Sequence, residues 1–246
     1  MALSPESRWV PERLDEPPFW PLARAFASLR RWPTWPTIAE LDAELARGLT
    51  NATGTPLRFE RQAPKPGRRR GPRCRDELYD AKIDREGAVP TRERSWHDTF
   101  NALVWATFPR SKAELARRQH LALRERLPDV FERLPPTRTV EQDALTLLDE
   151  GGGLVVVEPA HVSATIETLE AGGLPDDARF VVFGHAVYEH LLSTDAPLRV
   201  GAHVVGATTR DLAAIDEALA ARLRAGEIPR SAGSGLALEL FCHPPD

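Results

Sequence analysis

Three apolar runs in the C-terminal half of this chain most constrain what it can fold into. Leu154-Val155-Val156-Val157, Arg179–Phe183 and Leu198–Val205 are continuously rather than alternately apolar. A strand of that kind has to be covered on both faces, as strands inside helix-flanked sheets are. The segments between them supply the cover. Ala160–Ala171, stopped by Gly172-Gly173, His185–Ser193, and Thr209–Ala225, stopped by Gly226, all read as helices. The alternation predicts an α/β (or α+β) fold, built on a small parallel or mixed sheet. A last run, Gly235–Cys242, fits an edge strand.

The N-terminal half reads as helical and packed on that sheet. Its first segment, residues 1–57, is rich in Trp and Pro, and proline prevents long helices. Short helices fit Leu22–Arg31 and Thr37–Gly48, the latter with Thr37 and Glu40 as a capping box. Pro56–Arg61 alternates like a strand, and residues 58–75 form a basic loop with eight cations against one acid. Within residues 76–150, Ser95–Thr107 is a helix capped by Ser95. Ser111 with Glu114 starts a second helix, and a third spans about Val140–Leu148. The expected organisation is a single domain over 1–246, divided into the arm 1–57, the loop 58–75, the helical part 76–150 and the αβ part 151–246.

Composition narrows the class further. A net charge of −4 on 246 residues excludes a uniformly basic coat protein, and 42% hydrophobic residues with six Trp and nine Phe exclude wholesale disorder. Two cysteines, Cys74 and Cys242, with no C-x-x-C, exclude a zinc ribbon and a thioredoxin-like centre. The first residues carry acids and prolines and lack an apolar leader core, and the aliphatic runs are too short to cross a bilayer. The expectation is a cytoplasmic protein without a membrane partner. Of its cations, 29 are Arg and only three are Lys, so the arginine count carries little information about phosphate binding.

Two segments concentrate reactive side chains. The first runs from Pro90 through Arg92, His97 and Asp98 to Asn101, across the start of a helix. The free N–H groups of such a start favour anions. His97 and Asn101 share a face, and Arg, His, Asp and Asn crowd onto one otherwise apolar helix. The second is Gly184-His185-Ala186-Val187-Tyr188-Glu189. His185 follows an apolar strand, and Glu189 lies one turn on, spaced for a His–carboxylate pair or for two ligands of one metal. His120, within an apolar stripe, reads as a core histidine, and Asp149 as a loop carboxylate. There is no dinucleotide fingerprint, no phosphate-binding P-loop and no nucleophile elbow.

The run from Tyr79 to His120 resembles a proteobacterial family of unknown function, DUF3025. The residues that carry the resemblance are Gly87–Arg92, Trp96–Trp105 and Phe108–Lys112, followed by Gln142–Glu150 and Phe183–Glu189. Together they span most of residues 58–206, and the tail Leu238–Asp246 departs from the family pattern. The resemblance implies a shared architecture and no particular reaction.

These readings converge on a small-molecule or phosphoester hydrolase. His97, Asp98, His185 and Glu189 would act as its catalytic or ligating groups, and Arg92 and Asn101 would bind a small anionic ligand. The cofactor such a set suggests is one divalent transition metal. The alternatives are a nucleic-acid-associated protein using the Arg58–Arg75 loop, and a non-enzymatic binding or scaffold module.

Overall fold

The computed structural model describes residues 8–63, 72–173, 175–194, 197–208, 211–229, 231 and 235–240. The apolar runs of the C-terminal half form a four-stranded sheet of β5 (Gly152–Val157), β6 (Arg179–Val182), β7 (Leu198–Gly206) and β8 (Leu236–Leu240), in the order β6-β5-β7-β8. β5 and β7 are parallel, whereas β6 and β8 pair antiparallel with their neighbours, so the sheet is mixed. All six residues of β5 are buried. One face of the sheet packs on the main core, and the other carries Val155, Val157, Ala202 and Val204 under α7 (Val162–Glu170). Residues 241–242 of the expected edge strand, and Thr209 of the last expected helix, lie outside the described residues.

The helical half consists of α1 (Ala23–Phe26), α2 (Ile38–Leu45), α3 (Tyr79–Glu86), α4 (Trp96–Thr107), α5 (Pro109–Arg126) and α6 (Val140–Gly151). α8 (His185–Ser193) and α9 (Leu212–Arg224) pack with it. Two small pairs accompany these helices, β1 (Arg58–Arg61) parallel to β3 (Ala88–Thr91) and β2 (Arg73–Cys74) antiparallel to β4 (Val130–Phe131). The Thr37–Glu40 capping box is present on α2, and Thr139 with Gln142 makes another on α6. The expected Leu22–Arg31 helix is shorter. Pro17–Leu22 is 3-10, and after Phe26 the backbone tightens into turns that bury Phe26 and Leu29.

The expected start of α5 at Ser111 is also corrected. Pro109 both ends the α4 segment and occupies the first turn of α5, where its missing N–H costs nothing. The free N–H groups of Arg110 and Ser111 donate to the buried carboxylate of Asp216 on α9, at 3.0 and 2.8 Å. The cap therefore comes from more than 100 residues away, and no local pattern announces it.

The Trp/Pro arm fixes α4. Trp9 stacks on Trp96 with ring centres 4.8 Å apart, Trp35 tilts against Trp96 at 4.9 Å, and Phe19 and Tyr188 stack on Phe100. Each indole finds its polar partner: Trp96 Nε1 donates to the Arg8 carbonyl and Trp9 Nε1 to the Trp32 carbonyl. One continuous apolar cluster runs from Trp9 to Ile228. With its aromatic face held this way, α4 turns His97 toward α8.

Candidate functional site

The site is assembled where the end of α6, the starts of α4 and α8, and the first turns of α3 and α5 meet. Strand direction brings the first of these together. Because β6 is antiparallel to β5, the carboxyl end of β6 lies beside the amino end of β5, with Val182 opposite Gly153. The residues after β6 therefore meet the residues before β5. Gly184 makes the contact: its N–H donates to the Gly152 carbonyl at 2.8 Å, and a Cβ there would lie 2.4 Å from the Glu150 carbonyl oxygen. Only glycine allows that approach. The next residue, His185, is thereby set against Asp149.

His185 Nδ1 lies 2.8 Å from the Asp149 carbonyl oxygen. A carbonyl only accepts, so Nδ1 carries the proton and Nε2 presents a lone pair. That lone pair faces His97 Nε2 at 3.1 Å. His97 Nδ1 in turn lies 2.9 Å from Glu189 Oε2. A carboxylate also only accepts, so His97 Nδ1 is protonated. The two Nε2 atoms can share only one proton, and without it two lone pairs would face each other.

The surroundings place that proton on His97. The hydrogen bond that His97 donates to Glu189 raises the His97 pKa above its ordinary 6.5, burial notwithstanding. Burial lowers His185 to about 4, against the pull of Asp149. Below the raised His97 value the pair is thus an imidazolium beside a neutral imidazole. The His185 side chain is 6% exposed, whereas those of His97 and Glu189 are 28% and 36% exposed, so the charged member is the one that solvent reaches.

Two residues that were not among the sequence-predicted site residues complete the arrangement. The Lys112 side chain, 3% exposed on α5, is paired with the Asp149 carboxylate and lies over the Trp105 ring. Burial alone would raise the Asp149 carboxyl, but Lys112 and His185 outweigh it and hold Asp149 below the usual carboxylate range. Asp149, the expected loop carboxylate, is in the last turn of α6 and meets His185 through both its backbone and its side chain. A signal for Lys112 was present: it is one of three lysines in a chain with 29 arginines, within a block that carries the family resemblance.

The remaining predicted residues form a separate group beside the histidines. Asp98 grips Arg92, with Nε and Nη2 donating at 2.9 and 2.8 Å and the Arg92 backbone N–H adding a third bond. Arg94, with φ of 54°, turns the chain between Arg92 and the Ser95 cap. Asn101 donates to the Tyr79 hydroxyl at 3.0 Å, and its buried Oδ1 has no hydrogen-bond partner among the described residues. The structure thus joins His97, His185 and Glu189, and it pairs Asp98 with Arg92 instead of with the histidines. Glu189 lies across the His97 ring from His185, so it serves His97 from outside a shared ligand point. Among the described residues, no three His, Cys, Asp or Glu side chains come together as a metal-ligand set.

At the edges of the basic loop, Arg58, Arg61 and Arg75 each pair with a carboxylate, and Arg73 lies over Phe131. Residues 64–71, which hold the other four cations of that loop, lie outside the described residues. Among the described residues, no helix is long and apolar enough to cross a membrane.

Residues 70–232, well over half of the chain, match the family described as protein of unknown function, DUF3025. The chain belongs to that family. Every residue of the histidine cluster falls within the match, and the Trp/Pro arm falls before it. No curated protein and no solved structure matches the chain.

Proposed function

We propose that this DUF3025 chain is a hydrolase of small-molecule esters or phosphoesters that works by proton transfer at His97. The observation that supports this reading is the 3.1 Å approach of His97 Nε2 to His185 Nε2, with each Nδ1 committed elsewhere. His97 is the general acid. Water adds to the carbonyl carbon or the phosphorus, and His97 passes its Nε2 proton to the leaving oxygen as that oxygen's bond to carbon or phosphorus breaks. The neutral His97 then holds a bare Nε2 against the His185 lone pair. Taking a proton from the attacking water relieves that opposition and restores the imidazolium. Glu189 keeps the Nδ1 proton in place throughout, burial and the Lys112 charge keep His185 neutral, and the Asp149 carbonyl orients it. Arg92 is available to the anionic part of a substrate through Nη1, which has no partner among the described residues.

A panel of p-nitrophenyl carboxylates, phosphates and thioesters tests the reading. Turnover of at least one member is expected, with a loss of about 100-fold or more in His97→Asn and a comparable loss in His185→Asn. The rate should fall as pH rises through the raised His97 value, because the acid form is lost there. No turnover across the panel, or a His97→Asn variant as active as the parent, would overturn the proposal.

A further inference from the structure

A cavity of about 370 Å³ lies between the start of α3, the α5 and α6 helices and residues 134–138. Its walls are mostly apolar, with Leu123, Leu127, Leu134 and Pro135 among them. Asp80 also lines it. This carboxylate is half-buried and has no hydrogen bond or ion pair to another residue among the described residues. Burial, with Asp149 nearby, raises its pKa to about 7. The neighbouring cations leave it uncompensated. Lys112 is taken by Asp149, and Arg138 is exposed to water, acting on Asp80 only from a distance. An unpaired carboxylate in an apolar cavity carries a desolvation cost that a cation placed beside it would remove.

We propose that this cavity binds a small primary amine with an apolar body, its ammonium against Asp80 and its body against Leu123, Leu127, Leu134 and Pro135. Arg126 and Arg138 also line the cavity, but both are exposed to water and Arg126 already donates to the Thr137 carbonyl, so the opposite polarity, a buried anion, is disfavoured. The site goes beyond the hydrolase reading and stands without it. Asp80 meets the histidine cluster only electrostatically, through Asp149 and Lys112.

Benzylamine, benzyl alcohol and benzoate are matched probes, read by backbone amide shifts of the full-length protein. Benzylamine is expected to shift amides at 78–80, 123–127, 134, 137 and 138, and to bind at least tenfold more tightly than benzyl alcohol. Asp80→Asn should weaken benzylamine tenfold or more, and His97→Asn should leave its affinity within twofold. The last arm separates the two proposals, since binding persists there even if the reaction at His97 is disproved. The comparison of the three probes on the parent protein needs no variant. The proposal is overturned if benzylamine leaves those amides unmoved, if benzoate binds as tightly as benzylamine, or if Asp80→Asn binds benzylamine unchanged.

Discussion

His97 and His120 each hold a carboxylate on Nδ1, at 2.9 Å from Glu189 and 2.7 Å from Asp84, yet their other nitrogens meet opposite surroundings. His120 is 4% exposed between α3 and α5, and its buried Nε2 has no hydrogen-bond partner among the described residues. His97 Nε2 faces a neutral imidazole at 3.1 Å, on a side chain that is 28% exposed. The same His–carboxylate pair is therefore closed off in one place and, in the other, open to solvent and to a second imidazole. The difference lies in solvent access and in the third group, not in the pair.

Four measurements break or sharpen this contrast. The largest effect should come from the support of the His97 pair. Lys112→Met leaves the Asp149 carboxylate uncompensated beside a neutral His185. A loss of about 3–5 kcal/mol is expected in urea denaturation. A loss below about 1 kcal/mol would mean that the buried pair does not hold the site.

The second effect is on pH. His185 and His203 both titrate at about 4 in the folded protein, against an ordinary 6.5, because burial disfavours the cation. The unfolded chain therefore binds more protons between these values, and stability falls as pH drops from 6.5 toward 4, by roughly 3 kcal/mol per group. His97 runs the other way. Its raised pKa gives a stabilisation that is complete below 6.5 and fades as pH climbs through the folded value. Urea midpoints for the parent and for His203→Leu should diverge below pH 6.5, the variant being less acid-sensitive. Parallel curves would refute the burial argument.

The third measurement addresses the closed-off member of the comparison. His120→Leu strands the Asp84 carboxylate and should cost about 1–3 kcal/mol. Turnover on any substrate the parent accepts should stay within twofold after correction for the folded fraction. A catalytic loss matching that of His97→Asn would erase the distinction between the two pairs. The smallest effect belongs to Asp98→Asn, which loosens an ion pair whose Arg92 end is exposed while the Asp98 side chain is 11% exposed. Thermal unfolding should register at most about 1 kcal/mol, while a larger change would make Asp98 a structural anchor of the α4 start.

Much of the architecture is legible in local pattern. The apolar runs at 154–157 and 198–205 are strands, Ser95 and Thr37 cap their helices, and α8 spans the expected His185–Ser193. What misled was punctuation shared between neighbours. Pro109 marks both an end and a beginning, and Ser111, with the look of a cap, lies inside α5 with its polar atoms on Asp216. In the site, His97, His185 and Glu189 stand out by residue type and spacing. Asp149 does not, because an aspartate on a helix normally faces water, and the one sign of Lys112 is the rarity of lysine in this chain.

The sequence alone determined which segments become strands and helices, since those choices rest on side-chain period and on dihedral preferences within a few residues. It also determined which imidazoles and carboxylates were available. Tertiary structure decided how they are used. The antiparallel pairing of β6 with β5, and the backbone approach that Gly184 permits, set His185 on Asp149. The stacking of the Trp9 arm on Trp96 turned His97 toward it. These are contacts between residues 23 to 88 positions apart. Their geometry follows from how whole elements pack, and a pattern that repeats every two or four residues carries no record of it.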